Sequence, residues 1–136
     1  MENPVYTIDL PESNNYAVFV NSIHAKTLRG TLWLWRHMIN IRNHARKADG
    51  CFDIRSGLYA TFRDTVTVSY WEDIDKLYAF FHDPKHQTWL HYIKSHSKHF
   101  DAANEIYLPP QGGKYINGPM GFAVVCPRSV KDVGES

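Results

Sequence analysis

The sequence predicts an α+β fold of the ferredoxin-like βαββαβ type, an antiparallel four-stranded sheet with its helices on one face. Three observations predict it. The hydrophobic period switches between two and 3.6 residues in that order along the chain. Each helical stretch opens at a Thr or Asp suited to capping it. And 136 residues, 43% of them hydrophobic and 21% charged, make room for one domain with a real core.

Residues 1–15, with Pro4, Pro11, Asn14 and Asn15, read as an N-terminal arm, 16–123 as the domain, and 124–136 as a C-terminal tail. Within the domain, Tyr16 to Ile23 is a short β-rich run and forms the first strand. Thr27 then caps a helix that runs to about Lys47 and stops at Asp49-Gly50. Leu28, Leu32, Leu34, Trp35, Met38, Ile39, Ile41 and Ala45 share one arc of it, opposite Arg29, Arg36, Asn40 and Lys47. Trp33 falls on the polar side beside His37 and His44, and reads either as a subunit contact or as an ordinary half-covered surface ring. Residues 51–62 and 65–71 alternate, with Arg63-Asp64 as the turn, and read as a hairpin. Asp73 caps a short helix carrying Ile74, Leu77, Tyr78 and Phe81 on one face. Asp83-Pro84 restarts the helix, whose inner face is His86, Trp89, Leu90 and Ile93. Ala102 to Leu108 is the last strand, ended by Pro109-Pro110-Gln111-Gly112-Gly113. Helices on one side leave the other sheet face bare, so a homodimer formed through that face is expected.

Fifteen Lys+Arg against fourteen Asp+Glu argue against a protein built to grip phosphate backbones. No RNA-binding strand motif accompanies the aromatics, so no nucleic-acid partner is expected. Apolar runs are too short to cross a bilayer, and the N-terminus has no secretory signal; no membrane association and a cytoplasmic location follow as expectations. Two cysteines, Cys51 and Cys126, make neither a disulfide framework nor a metal motif.

The remaining excess is aromatic residues at 14% and eight histidines. His86, His91 and His96 are spaced by five, which scatters them around a helix, so no metal site is expected and most histidines are assigned to solvent. His86 differs because it heads an apolar helical face, where desolvation and a neighbour tune it for proton transfer or haem ligation. Trp35, Met38, Tyr70, Trp71, Phe81, Trp89 and Tyr107 exceed what a core of this size needs, and are read as walls of a pocket for a flat, apolar small molecule. No dinucleotide fingerprint, Walker loop or nucleophile elbow occurs.

The stretch Tyr70-Trp71-Glu72-Asp73, with Leu77, Phe81, Asp83-Pro84, His86 and Trp89 after it, resembles a monooxygenase-like family of small dimeric α+β barrel proteins related to antibiotic-biosynthesis monooxygenases. The downstream segment Asn104-Glu105-Ile106-Tyr107, with Gly112-Gly113, Tyr115, Asn117 and Pro119-Met120-Gly121-Phe122, is similar to that family's His-Glu-x-Tyr strand and Gly-rich tail. The resemblance covers about residues 65–123. It implies a homodimer of secondary metabolism: a cofactor-free oxygenase of aromatic polyketides, a haem-dependent oxygenase or dehydratase, or a cyclase or isomerase. The family's His in His-Glu-x-Tyr is Asn104 here, and Asn cannot shuttle a proton near neutral pH.

The expected function is therefore monooxygenase-like chemistry on a hydrophobic aromatic or polycyclic substrate, with cyclisation or isomerisation on the same scaffold as a variant. His86 is the expected proton-transfer group, with Asn104 and Glu105 orienting the substrate. Strand alternation sets Glu105 and Tyr107 on one face and Asn104 on the other, so these residues cannot all serve one pocket. No cofactor is favoured. The alternatives are a haem protein ligated by His86, His24 or His37, and a non-catalytic ligand-binding module.

Overall fold

Each helix begins at a side-chain acceptor that the sequence supplies, and those three starts set the frame of the molecule. In a computed structural model, which describes residues 4–12, 14–110 and 112–130, the hydroxyl of Thr27 accepts from the Gly30 N–H at 3.1 Å. The carboxylate of Asp73 accepts from Asp75 at 2.8 Å, and that of Asp83 from His86 at 3.0 Å. The chain runs β1 (Val5–Ile8), β2 (Ala17–Ala25), α1 (Leu28–Arg46), β3 (Cys51–Leu58), β4 (Asp64–Trp71), α2 (Ile74–Phe81), α3 (Pro84–Ser95), β5 (Phe100–Tyr107), β6 (Lys114–Ile116) and β7 (Pro127–Val130). The βαββαβ order is that of β2 to β5, whose antiparallel sheet has the spatial order β3-β4-β2-β5. This is the ferredoxin-like α+β fold.

A second, three-stranded sheet, β6-β1-β7, is an addition to that plan. The segment read as an arm contributes β1, and the segment read as a tail contributes β7, paired from Val5 opposite Val130 to Ile8 opposite Pro127. The arm and tail positions 1–3, 13 and 131–136, and Gln111 of the closing turn, lie outside the described residues. Between β6 and β7 a 3-10 turn, Gly121–Val124, buries Phe122 completely. Phe122 meets Tyr16, Phe52 and Tyr70 with ring centroids 5.3–5.7 Å apart, so this turn covers one end of the sheet face away from the helices.

Strand β4 inverts the usual pattern over residues 65–69. Thr65 and Ser69 of β4 are buried under the helices, their hydroxyls reaching the Ile23 and Phe19 carbonyls at 3.4 and 3.5 Å. Val66 and Val68 point the other way and remain half-buried. Beneath the helices the core divides in two: Ala17, Phe19, Ala45, Ile54, Trp71, Leu77 and Phe80 form one cluster, and Ile23, Ala25, Leu34 and Phe100 the other.

Helix α1 departs from its expected arc. Leu28, Leu32, Trp35 and Ile39 are exposed, whereas Gly30, Thr31, Leu34 and Ala45 are buried. The reason is proximity: a Cβ at Gly30 would sit 2.7 Å from the His99 carbonyl, so the helix rests on its small residues there. Of the two readings of Trp33, the half-covered ring describes its place in the single chain. Its ring is half-buried and stacks on Tyr92 at 4.6 Å and 1°, an internal contact between α1 and α3.

Candidate active site

The gap between the two core clusters is a narrow, partly enclosed cavity. Its floor is the helix-facing side of the sheet and its roof is α1 and α3. Phe19, Ile23, Ile54, Phe80, Trp89 and Ile93 supply apolar wall. Among the described residues no Lys, Arg, Asp or Glu lines it.

The polar groups of the floor are in register. Asn104 of β5 stands opposite Asn21 of β2, Asn21 opposite Thr67 of β4, and Thr67 opposite Ser56 of β3. Because side chains alternate, these four share the helix-facing side and form one polar row across the sheet. Asn21, Thr67 and Asn104 line the cavity, and the row separates the two apolar clusters.

His86 enters from the roof. Asp83 fixes it from behind: one carboxylate oxygen caps α3 at the His86 N–H and takes a 2.6 Å hydrogen bond from His44 Nε2 on α1. The imidazole lies against Phe80 and Phe81, with centroids 4.7 and 6.0 Å away. Burial pushes its pKa below the ordinary histidine value; a hydrogen bond to the Phe81 backbone and the charge of Asp83 work the other way. Its Nδ1 is buried without a hydrogen-bond partner. Burial thus favours the neutral ring, and His86 is part of the cavity lining.

The residues expected for the site divide by face. His86, Asn104, Met38 and Trp89 line the cavity. Glu105 and Tyr107 stand opposite Val20 and Val18 on the other face, as alternation requires, and hydrogen bonding to Glu105 raises the Tyr107 pKa. Tyr70 is on that face too, against Phe122. Trp71 is fully buried in the core, its Nε1 donating to Ser69 Oγ at 2.8 Å. Phe81 packs edge-on against Phe19 at 4.9 Å, beside the cavity rather than in its lining. Trp35 is exposed on α1 and donates to the Phe62 carbonyl at 3.2 Å.

Asn21 was not among the expected site residues. Its signal in the sequence is a polar side chain in phase with Ala17, Phe19 and Ile23, the buried positions of the same strand.

The expectation of mainly solvated histidines holds for His82 and His91, which are exposed. His24 is instead held by Asp64 at 2.6 Å, His44 by Asp83, and His99 by Thr27 at 2.7 Å. Nothing in the structure favours haem at the three histidines considered for it. His24 meets Asp64 through Nδ1, His37 lies against Trp33 at 4.6 Å, and His86 lies against Phe80 and Phe81, so the three are on separate parts of the fold and only His86 lines the cavity. Among the described residues no group of three or more His, Cys, Asp or Glu could hold a metal ion, and no helix is long and apolar enough to cross a membrane.

Comparison with known proteins bears on the same residues. The family model described as Monooxygenase af470-like matches residues 17–115, which contain the whole cavity lining. No curated protein matches the sequence significantly. Among solved structures, protein SO0527 of Shewanella oneidensis superposes with a TM-score of 0.61 at 17% identity, over 80% of this chain and 97% of that one. A candidate antibiotic biosynthesis monooxygenase from Deinococcus radiodurans gives 0.60 at 14%, over 69% and 93%. A point variant of SnoaB, a cofactor-independent oxygenase from Streptomyces nogalater, gives 0.55 at 11%, over 71% and 95%. At such identities the likeness is one of fold.

Proposed function

Since the chain belongs to the Monooxygenase af470-like family, we propose that it is a cofactor-independent oxygenase of a hydrophobic aromatic or polycyclic metabolite, with His86 as its proton-transfer group. The observation that carries this reading is the buried, unpartnered Nδ1 of a neutral His86 on the wall of an uncharged, largely apolar cavity. The SnoaB likeness supports chemistry without a cofactor.

The step balances with dioxygen alone. His86 takes a proton from an acidified C–H of the substrate, and the resulting carbanion is stabilised by its own aromatic system. That carbanion delivers electrons to dioxygen, and a C–O bond forms to give a hydroperoxide once the proton is returned. Breakage of the O–O bond with loss of the second C–H proton leaves a ketone and water, so a methylene group and dioxygen become a carbonyl group and a water molecule. All four electrons come from the substrate. The protein's part is to exclude water, orient the ring and hold the proton. Asn104 orients a substrate carbonyl from the floor.

The working unit in this reading is a cytoplasmic homodimer. Val18, Val20, Val66 and Val68 form a half-buried apolar strip on the sheet face without helices, and a second copy covers it. Glu105 and Tyr107 then belong to the dimer face rather than to the cavity.

The test begins with mass spectrometry of small molecules that co-purify with the protein. Oxygen uptake is then measured on those compounds and on enolisable polycyclic phenols. His86→Ala is expected to lower kcat by about 10²–10⁴-fold with the fold intact. Full turnover by that variant would remove His86 from the chemistry. Turnover without oxygen uptake would replace oxygenation by cyclisation or isomerisation through the same proton transfer.

A further inference from the structure

We infer that Asn21 is the residue that selects the substrate, and that it does so by accepting a hydrogen bond from a neutral aromatic hydroxyl. The inference rests on the reading of the cavity as an aromatic substrate site and names what that site recognises.

Asn21 Oδ1 is shielded from solvent and has no hydrogen-bond partner, although Asn21 lines the cavity. Burying a carboxamide oxygen without a donor is costly, so a sequence keeps one where something else supplies the donor. The residues opposite Asn21 are Thr67 and Asn104, and neither side chain is hydrogen-bonded to its Oδ1. The preceding and following helix-facing residues of the same strand, Phe19 and Ile23, are apolar. The Oδ1 is thus left for a donor that enters through the cavity.

The chemistry of the cavity narrows what that donor is. With no Lys or Arg among its described lining residues, a carboxylate or phosphate would lose its hydration uncompensated. With no Asp or Glu there, an ammonium group would fare no better. An uncharged O–H on an aromatic frame fits both limits, because the ring covers the apolar walls while the hydroxyl meets the polar row. Asn21 sits on the floor and His86 in the roof, so the two unpartnered groups address different positions of one ligand. The substrate class is a neutral aromatic with a hydroxyl that stays protonated at Asn21 and a separate acidic position at His86. Discrimination of this kind is strong, since a ligand lacking the hydroxyl leaves the Asn21 oxygen buried and unpaired.

Isothermal titration calorimetry of the full chain with 1-naphthol and 1-methoxynaphthalene tests this without turnover. The two probes share a ring system and differ in whether the oxygen can donate. The wild type is expected to bind 1-naphthol at least about tenfold more tightly. Asn21→Leu, which keeps the branched shape and removes both polar atoms, is expected to abolish that preference while still binding 1-methoxynaphthalene. Asn21→Val, a better strand former, repeats the measurement should the leucine variant fail to fold. Equal binding of the two probes by the wild type overturns the inference, and is the result expected if a water molecule satisfies Asn21. Retention of the preference in the variants overturns it as well. Failure of both probes to bind overturns the aromatic-site reading and this inference together. Loss of the His86 assignment alone leaves the naphthol preference in place.

Discussion

The two faces of the four-stranded sheet are built from the same strands and have opposite logic. Under the helices, β4 places Thr65, Thr67 and Ser69, and β2 interrupts its apolar series with Asn21. Away from the helices the same strands present Val66, Val68, Val18 and Val20. The helix side carries the core, Phe19, Ile23, Ile54, Trp71 and Phe100, with a polar row set across it. The other side is mainly polar, with His24, Asp64, Arg55 and Glu105, and carries an apolar strip of four valines. In the proposed function the polar row serves the ligand and the valine strip serves the second copy.

Substitutions on the two faces should separate these roles. The largest stability loss is expected on the helix side: Trp71→Ala empties a fully buried site and should cost about 3–5 kcal/mol in chemical denaturation. Its failure to do so would break the claim that this face carries the core. On the other face, Val68→Lys should leave the circular dichroism unchanged while shifting the sedimentation mass from that of a dimer to near 15.8 kDa. The charge enters a two-fold interface twice, once from each copy. A dimer that survives it would place the interface elsewhere. A smaller effect, about 1 kcal/mol, is expected for Thr27→Ala, which removes the cap of α1 and the partner of His99 without touching either face of the sheet.

The clasp behind His86 adds a pH signature. The Asp83 carboxyl is held below its ordinary range, first by the His86 backbone N–H and then by the His44 imidazole. A carboxyl depressed in the folded state contributes stability above its unfolded value of about 3.9 and loses that contribution as pH falls through the folded value. Asp83→Asn should therefore lower stability near neutrality and flatten the acid limb of a thermal-melting profile. An unchanged acid limb would show that α1 and α3 are joined by packing alone.

Local chemistry made most of this legible. Thr27, Asp73 and Asp83 cap the helices expected of them, because a cap is decided within a few residues. The expected inner face of α3, His86, Trp89, Leu90 and Ile93, is the one that lines the cavity. Alternation alone separated Asn104 from Glu105 and Tyr107. Leu28, Leu32, Trp35 and Ile39 were expected inside and are exposed, because an apolar arc wider than the contact cannot say which edge of it is buried, and close approach at Gly30 sets the helix so that Trp33 meets Tyr92. Tyr70 and Trp71 could not both be pocket walls, since neighbours on a strand point apart. The sheet formed by β1, β6 and β7 gave no local sign. Its strands are three or four residues long, and their partners lie far away in sequence.

That small sheet also orders the molecule in time. All four strands of the main sheet have been synthesised once Tyr107 is made, so it can assemble on a nascent chain. Strand β1 precedes the main sheet in the chain, yet among the described residues its partners are Lys114–Ile116 and Pro127–Val130, which follow that sheet. Closing it onto β7 spans more than a hundred residues, a loop whose entropic cost grows only with the logarithm of its length. During synthesis β1 therefore waits for its partners until the whole main sheet has been made, and its pairing is of the non-local kind that forms slowly.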